Sequence, residues 1–136
     1  LGAPEEYRIL LYRRLMLRIA EAIARRRHAL GIVTGDCLGQ VASQTLQNMN
    51  AVGAIARLPV YRPLAGYDKQ EIIELAKKIG TYDISLQSYN DCCQSLVAKH
   101  PATRSDAEHL ARLEEKLPTD LIEKTLADTK IIQVNS

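Results

Sequence analysis

Apolar residues recur at helical spacing between Glu5 and His28. Leu11, Leu15, Ile19, Ala22 and Ile23 line one side, with Arg and Glu between them, which predicts a long amphipathic helix facing a core. Glu21 and Arg25 stand four residues apart, acid first, the order that supports a helix. The period then changes. Gly31-Ile32-Val33-Thr34 is a short apolar run, expected to be a strand, and a central one because both its faces are apolar. A glycine turn at Gly35 leads into a helix expected over Leu38 to Asn50, and Gly53 breaks the segment that follows. Leu58-Pro59-Val60-Tyr61-Arg62 predicts a second strand, closed by Pro63. Asp68 and Glu71 have the spacing of a capping box ahead of a helix over Lys69 to Ile79, which Gly80 stops.

Beyond Gly80 the pattern weakens. Residues Thr81 to His100 read as mostly irregular. Ser105, with Glu108 behind it, predicts the cap of a helix reaching Leu117, and Pro118 ends it. A short helix is expected over Thr119 to Asp128 and a final edge strand over Ile131-Ile132-Gln133-Val134. No internal repeat or low-complexity tract interrupts this order. The middle of the chain therefore reads β-α-β-α, the signature of an α/β fold with a parallel sheet and helical crossovers.

At 136 residues the chain is one domain or a piece of one. A hydrophobic fraction of 46% supports a packed core, and the lack of Trp and Phe makes that core aliphatic, with six Tyr at its margins. The net charge of +2 is too small to establish a nucleic-acid partner, although Arg13, Arg14, Arg18, Arg25, Arg26 and Arg27 crowd one segment. From charge alone a solvated helix face is the better explanation of such a run. Three Cys without a signal peptide point to a reducing, cytoplasmic location. No apolar run approaches the roughly 20 residues of a membrane span, which excludes a helical membrane anchor within this stretch.

Three groups of residues carry chemistry. The first is Gly35-Asp36-Cys37-Leu38-Gly39-Gln40-Val41-Ala42-Ser43-Gln44-Thr45, directly after the first predicted strand. Ligands of open α/β sheets lie beyond the carboxyl ends of the strands, and the start of a helix there favours an anion. A phosphate loop of Walker type is absent, since no Gly-Lys-Ser or Gly-Lys-Thr occurs. The second group is Asp91-Cys92-Cys93. Neighbouring cysteines rarely bridge each other, and each is free to attack or pair with a third sulfur. Asp91 opposes thiolate formation, so any activating charge must come from elsewhere. Zinc is disfavoured, because Cys37, Cys92, Cys93, His28, His100 and His109 lack paired ligand spacing. The third group is Arg13, Arg14 and Arg18. Adjacent residues lie about 100° apart around a helix, so Arg13 and Arg14 cannot share a direction. One can reach the ligand edge while the other is solvated or meets a phosphate backbone.

These residues together are similar to one family. Tyr12-Arg13-Arg14-Leu15-Met16-Leu17-Arg18-Ile19, Thr34 to Thr45, Arg62-Pro63-Leu64 with Asp68-Lys69, Glu71-Ile72-Ile73, Ile79 to Ser85, Asp91-Cys92-Cys93 and Pro101-Ala102-Thr103 carry the likeness. The chain resembles the C-terminal half of the PP-loop ATPase domain of tRNA 4-thiouridine synthetases, the tRNA sulfurtransferases that also serve thiamine biosynthesis. The resemblance implies a Rossmann-like parallel sheet, part of the adenine nucleotide alpha hydrolase-like class. It implies ATP, with Mg2+, as the activating cosubstrate and tRNA as the acceptor. A cysteine desulfurase would be the persulfide donor. The uridine carbonyl oxygen would be adenylated, and persulfide sulfur would displace AMP to leave 4-thiouridine. The same route would feed sulfur to the thiazole of thiamine.

Residue by residue, the resemblance matches Arg13, Gly35 and Gln44 to ATP contacts and gives Cys92 or Cys93 the sulfur-transferring role. Counting from Thr81 favours Cys92, and counting back from Pro101 favours Cys93. Cys37 replaces a Ser or Ala of the family and reads as a packing substitution. The family's Ser-Gly-Gly-x-Asp-Ser pyrophosphate loop does not occur here, nor do its THUMP, ferredoxin-like or rhodanese domains. Residues 1–136 are thus expected to be the C-terminal part of a PP-loop ATP-binding domain, a fragment inactive by itself. Two alternatives stand beside this. One is another PP-loop tRNA thiolase or synthetase. The other is a self-associating interaction module, a homodimer formed through the sheet edge left open by the absent half.

Overall fold

A computed structural model describes residues 3–87, 98–118 and 120–133. A turn of 3-10 helix at Glu5–Tyr7 runs into helix α1 (Arg8–Arg26), followed by strand β1 (Ile32–Val33), helix α2 (Leu46–Gly53) and strand β2 (Val60–Tyr61). Helices α3 (Lys69–Lys78), α4 (Tyr82–Ser85), α5 (Ala107–Glu114) and α6 (Leu121–Ala127) complete the order. β1 and β2 are parallel neighbours, with Ile32 opposite Val60 and Val33 opposite Tyr61. The α/β class, the parallel pairing and the helical crossover between the strands are those expected.

The core is aliphatic. Ile9, Leu10 and Leu11 of α1, Ala51 and Val52 of α2, and Leu110 and Leu113 of α5 form it together with Ala3, and Tyr7 and Ala102 pack on its margin. The stripe of α1 that goes inward is rotated from the expected one. Leu10, Arg14, Leu17 and Glu21 are buried, whereas Ile23 is exposed. Two charged residues thus occupy buried turns because their partners lie on other elements. Arg14 Nη1 donates to Ala51 O (2.7 Å) and Nη2 to Glu114 Oε2 (2.8 Å). Glu21 accepts from the Arg57 N–H (2.8 Å) and from Arg25. Arg14 is therefore neither solvated nor turned toward a phosphate.

β1 is not a central strand among the described residues. Ile32 is buried, but Val33 is 69% exposed and Tyr61 beside it is also exposed, so one face of the two-stranded sheet is uncovered. The Tyr61 ring lies across Gly31, where a Cβ would stand 2.6 Å from its Cε2. The helix expected from Leu38 starts only at Leu46. Gly39 takes φ of +75° and Val41 and Thr45 are extended, so residues 35–45 form a loop with a short 3-10 turn at Ala42–Gln44. The capping box of α3 is present: Glu71 N–H donates to Asp68 and the Glu71 carboxylate accepts from the Asp68 N–H. Asp106, not Ser105, caps α5, accepting from His109 N–H at 2.7 Å. Of the edge strand expected over 131–134, Val134 lies outside the described residues; residues 131–133 are not a strand, and Ile131 and Ile132 are exposed with no strand beside them among the described residues.

Candidate functional site

The carboxyl ends of β1 and β2 open on the same rim, because parallel strands point the same way. The ladder continues past β1 through Thr34 N–H to Tyr61 O (2.9 Å). Asp36 therefore leaves β1 beside Arg62, which leaves β2. Arg62 Nε donates to Asp36 Oδ2 at 3.2 Å, and the Thr34 hydroxyl donates to the same oxygen at 2.9 Å. Arg13, from the first half of α1, donates to Asp36 Oδ1. Asp36 is only 6% exposed, while the side chains of Arg13 and Arg62 each keep 22% exposure.

Burial opposes ionisation of Asp36. The Arg13 hydrogen bond and charge, then Thr34 and Arg62, outweigh it and hold the carboxyl below its ordinary 3.8. One carboxylate set between two guanidinium groups leaves the rim with one net positive charge. Each guanidinium has five N–H donors and gives only one to Asp36. Donors remain for an anion, and Asp36 fixes their direction. Arg62 also borders an open groove of about 340 Å3 along β2 and the end of α2, lined by Met49, Gly53, Leu58 and Val60. Gly53 admits Arg62 here, since a Cβ would lie 2.9 Å from the Arg62 Nη2.

The Gly35–Thr45 loop forms the second part of the rim. Gly35 has no atom within 4 Å of where a Cβ would sit, leaving its backbone accessible. Leu38 N–H donates to Ala65 O (3.2 Å), and Gly39 N–H donates to Gln44 O (2.9 Å), which closes the turn carrying Gln44. The expected anion-favouring helix start does not lie at Gly35. It lies at Leu46, where the Thr45 hydroxyl already accepts from Asn48 N–H. Cys37 is buried and its thiol donates to Tyr67 O at 2.9 Å, a packing role.

Of the residues singled out from sequence, Arg13 is brought to Asp36, next to Gly35 in the chain, and Gln44 closes the same loop. Cys92 and Cys93 lie outside the described residues. Their C-terminal flank does not: Ala98 is buried, Ala102 N–H donates to Glu6 O (3.0 Å), and Thr103 O accepts from the Thr45 hydroxyl (2.8 Å). Asp36 and Arg62 were not singled out as site residues. Their position directly after two parallel strands was the available signal.

A buried carboxylate thus holds two arginines at the carboxyl end of the parallel strands of an α/β domain. The family model for thiamine biosynthesis protein (ThiI) matches residues 2–119, and the chain belongs to that family. It is 55% identical over 118 residues to a protein of Thermus thermophilus named "Probable tRNA sulfurtransferase", covering 87% of this chain and 29% of that protein. A protein of the same name from Moorella thermoacetica is 46% identical over 134 residues, covering 98% of this chain and 34% of its own length. A crystal structure of a 4-thiouridine synthetase–RNA complex with bound ATP superposes with a TM-score of 0.84 at 45% identity, over 93% of this chain and 33% of that one. The chain thus spans about a third of the length of these relatives.

Proposed function

We propose that this chain is the C-terminal part of the ATP-binding domain of a tRNA sulfurtransferase, and that its charged rim holds the phosphates of ATP while a tRNA uridine is activated. The observation that carries the reading is the Arg13–Asp36–Arg62 cluster at the carboxyl ends of the parallel strands. The ATP and RNA held by the similar synthetase support it. Arg13 and Arg62 offset phosphate charge through planar donor forks. Gly35 lets the nucleotide approach the backbone, and Gln44 hydrogen-bonds it. Both Asp36 oxygens are already engaged by Arg13, Arg62 and Thr34. Mg2+ therefore arrives on the ATP phosphates rather than on Asp36.

The chemistry follows from the leaving group. A carbonyl oxygen of uridine departs poorly. Its attack on the α-phosphate of ATP releases pyrophosphate and makes it part of an AMP ester. A persulfide on Cys92 or Cys93, its outer sulfur supplied by a cysteine desulfurase, attacks the activated carbon through that outer sulfur, and AMP leaves. A second thiol then attacks the cysteine sulfur, forming a disulfide as the S–S bond to the uridine breaks and 4-thiouridine is released. Persulfide sulfur is nucleophilic at neutral pH, so no strong base is required. The sulfur of thiamine's thiazole is supplied from the same persulfide. Ala102 and Thr103, downstream of the cysteine pair, accept hydrogen bonds from Asn48 and Thr45 at the end of the Gln44 loop, which supports transfer at this rim. The use of ATP, tRNA and a thiol supports a cytoplasmic location.

The remainder of the ATP site lies in the part of the longer relatives that this chain does not span. The isolated 136 residues are therefore expected not to thiolate tRNA, and 4-thiouridine formed by them alone would overturn that expectation. The reading itself is tested in cells lacking the gene, by mass spectrometry of their tRNA. Loss of 4-thiouridine, restored by the full-length protein but not by Cys92→Ser or not by Cys93→Ser, is expected. Loss of 2-thiouridine instead would assign a different PP-loop thiolase.

A further inference from the structure

Asn48, in the first turn of α2, is fully buried. Its side-chain amide donates to Ala42 O and to Ala102 O, both at 2.8 Å. Two carbonyl acceptors fix which end of the amide is nitrogen. The remaining oxygen, Oδ1, is buried and has no partner among the described residues. Such an oxygen carries a desolvation penalty that an apolar residue at this core position would avoid. Beside it, the Thr45 hydroxyl accepts from Asn48 N–H and donates to Thr103 O. Ala42 lies in the 3-10 turn Ala42–Gln44, whose last residue accepts from Gly39 N–H. Ala102 and Thr103 belong to the segment that returns to Glu6 ahead of α1. Four hydrogen bonds around one buried amide therefore join the Gln44 turn to residues 102 and 103.

The structure assigns to Asn48, with Thr45, the role of a positioning residue: together they clasp the Gln44 turn to the 102–103 segment and so fix where Gln44 and the Gly35–Gly39 backbone stand toward the nucleotide. This rests on the nucleotide reading above. Asn48 touches no nucleotide in the scheme; it acts through the turn. Without the clasp, the turn keeps its internal bonds, Gly39 N–H to Gln44 O and Gln44 N–H to Val41 O, while the loop before it stays tied to the 65–67 segment through Leu38 N–H and the Cys37 thiol. No described bond then joins it to residues 102 and 103, and its exposed residues Gly39, Gln40 and Val41 gain freedom.

The test uses the full-length protein. Asn48→Ala and Thr45→Val remove the clasp in two ways, Thr45→Ser keeps the hydroxyl, and Leu113→Val loosens the core elsewhere. Two quantities are read: hydrogen exchange of peptides covering residues 38–45, and KM for ATP against kcat in AMP formation. Asn48→Ala and Thr45→Val are expected to speed exchange of the turn and raise KM for ATP about tenfold with a smaller change in kcat. Thr45→Ser is expected to restore both, and Leu113→Val to leave KM unchanged. Should Asn48→Ala fail to fold, the Thr45 pair decides. Faster exchange with an unchanged KM, or a KM raised equally by Leu113→Val, would overturn the positioning role. If the unaltered protein forms no AMP from ATP while exchange still reports the clasp, the nucleotide reading fails and this role falls with it.

Discussion

Replacing Asp36 by Asn tests the rim at its centre. The change keeps the shape and removes one charge. Whichever way the amide is turned, its NH2 faces a donor, either Arg13 or the Thr34 and Arg62 pair. Removing one partner of a buried ion pair typically costs 3–5 kcal/mol, and the 22% exposure of both guanidinium groups lets water recover part of it, so about 2–3 kcal/mol is expected at neutral pH. That is about a 30- to 150-fold fall in the ratio of folded to unfolded protein, or a drop in Tm of about 6–15 °C. The assay is urea unfolding followed by circular dichroism, since the chain has no Trp. The sign with pH is fixed. The folded-state pKa of Asp36 is depressed below 3.8, so its contribution is complete above that value and is lost as pH falls through the folded pKa. Arg57 N–H and Arg25 lower the Glu21 pKa, and despite burial Arg14 and Arg18 lower that of Glu114, so both also contribute stability that is lost as pH falls. The diagnostic quantity is therefore the difference between the unaltered protein and Asp36→Asn, which should shrink below about pH 4. A difference under about 0.5 kcal/mol at pH 7, within the range of ordinary surface substitutions, or one that persists unchanged into acid, would refute the reasoning.

Glu114→Gln should destabilise the chain by about 2–4 kcal/mol in the same unfolding assay, because it strands buried Arg14 and also releases Arg18. Gly53→Ala should leave stability within about 1 kcal/mol of the original, since its methyl group meets only the guanidinium end of Arg62 and no backbone. It should nevertheless weaken ATP binding in a titration of the full-length protein, by moving Arg62 off Asp36. Cys37→Ala should retain 4-thiouridine formation within about twofold, because its thiol only donates to Tyr67 O and a lost weak hydrogen bond is a small effect. Abolished activity in that variant would place a third sulfur in the reaction.

The parts of the fold written in local signals were legible in the sequence. The Asp68–Glu71 box and Gly80 bracket α3 in both the pattern and the structure, since caps act within one turn. Lys69–Lys78 needs no distant partner to be recognised. The Gly35–Thr45 stretch was harder. Its apolar residues Leu38 and Val41 mimic a helical stripe, but both are exposed, and the left-handed Gly39 prevents a continuous helix. The Glu21–Arg25 pair was legible, but the burial of Arg14 and Glu21 was not, because periodicity carries no information about Glu114, Ala51 O or the Arg57 N–H, which satisfy them from elsewhere. Ile32 and Val33 looked alike in the sequence, yet only Ile32 has a covering layer among the described residues. At the site, the choice of Arg13, Gly35 and Gln44 rests on family likeness, and the structure sets Arg13 on Asp36 and Gln44 in the same loop. The charge balance at Asp36 required the parallel register that sets Val33 against Tyr61.

The measurement closest to the central claim is equilibrium binding of ATP to the full-length protein, unaltered and with Arg13→Met or Arg62→Met. Charged hydrogen bonds to phosphate contribute about 1.5–3 kcal/mol each, so each change should weaken binding about 10- to 150-fold. Binding at full strength in both variants would show that this rim does not hold the nucleotide.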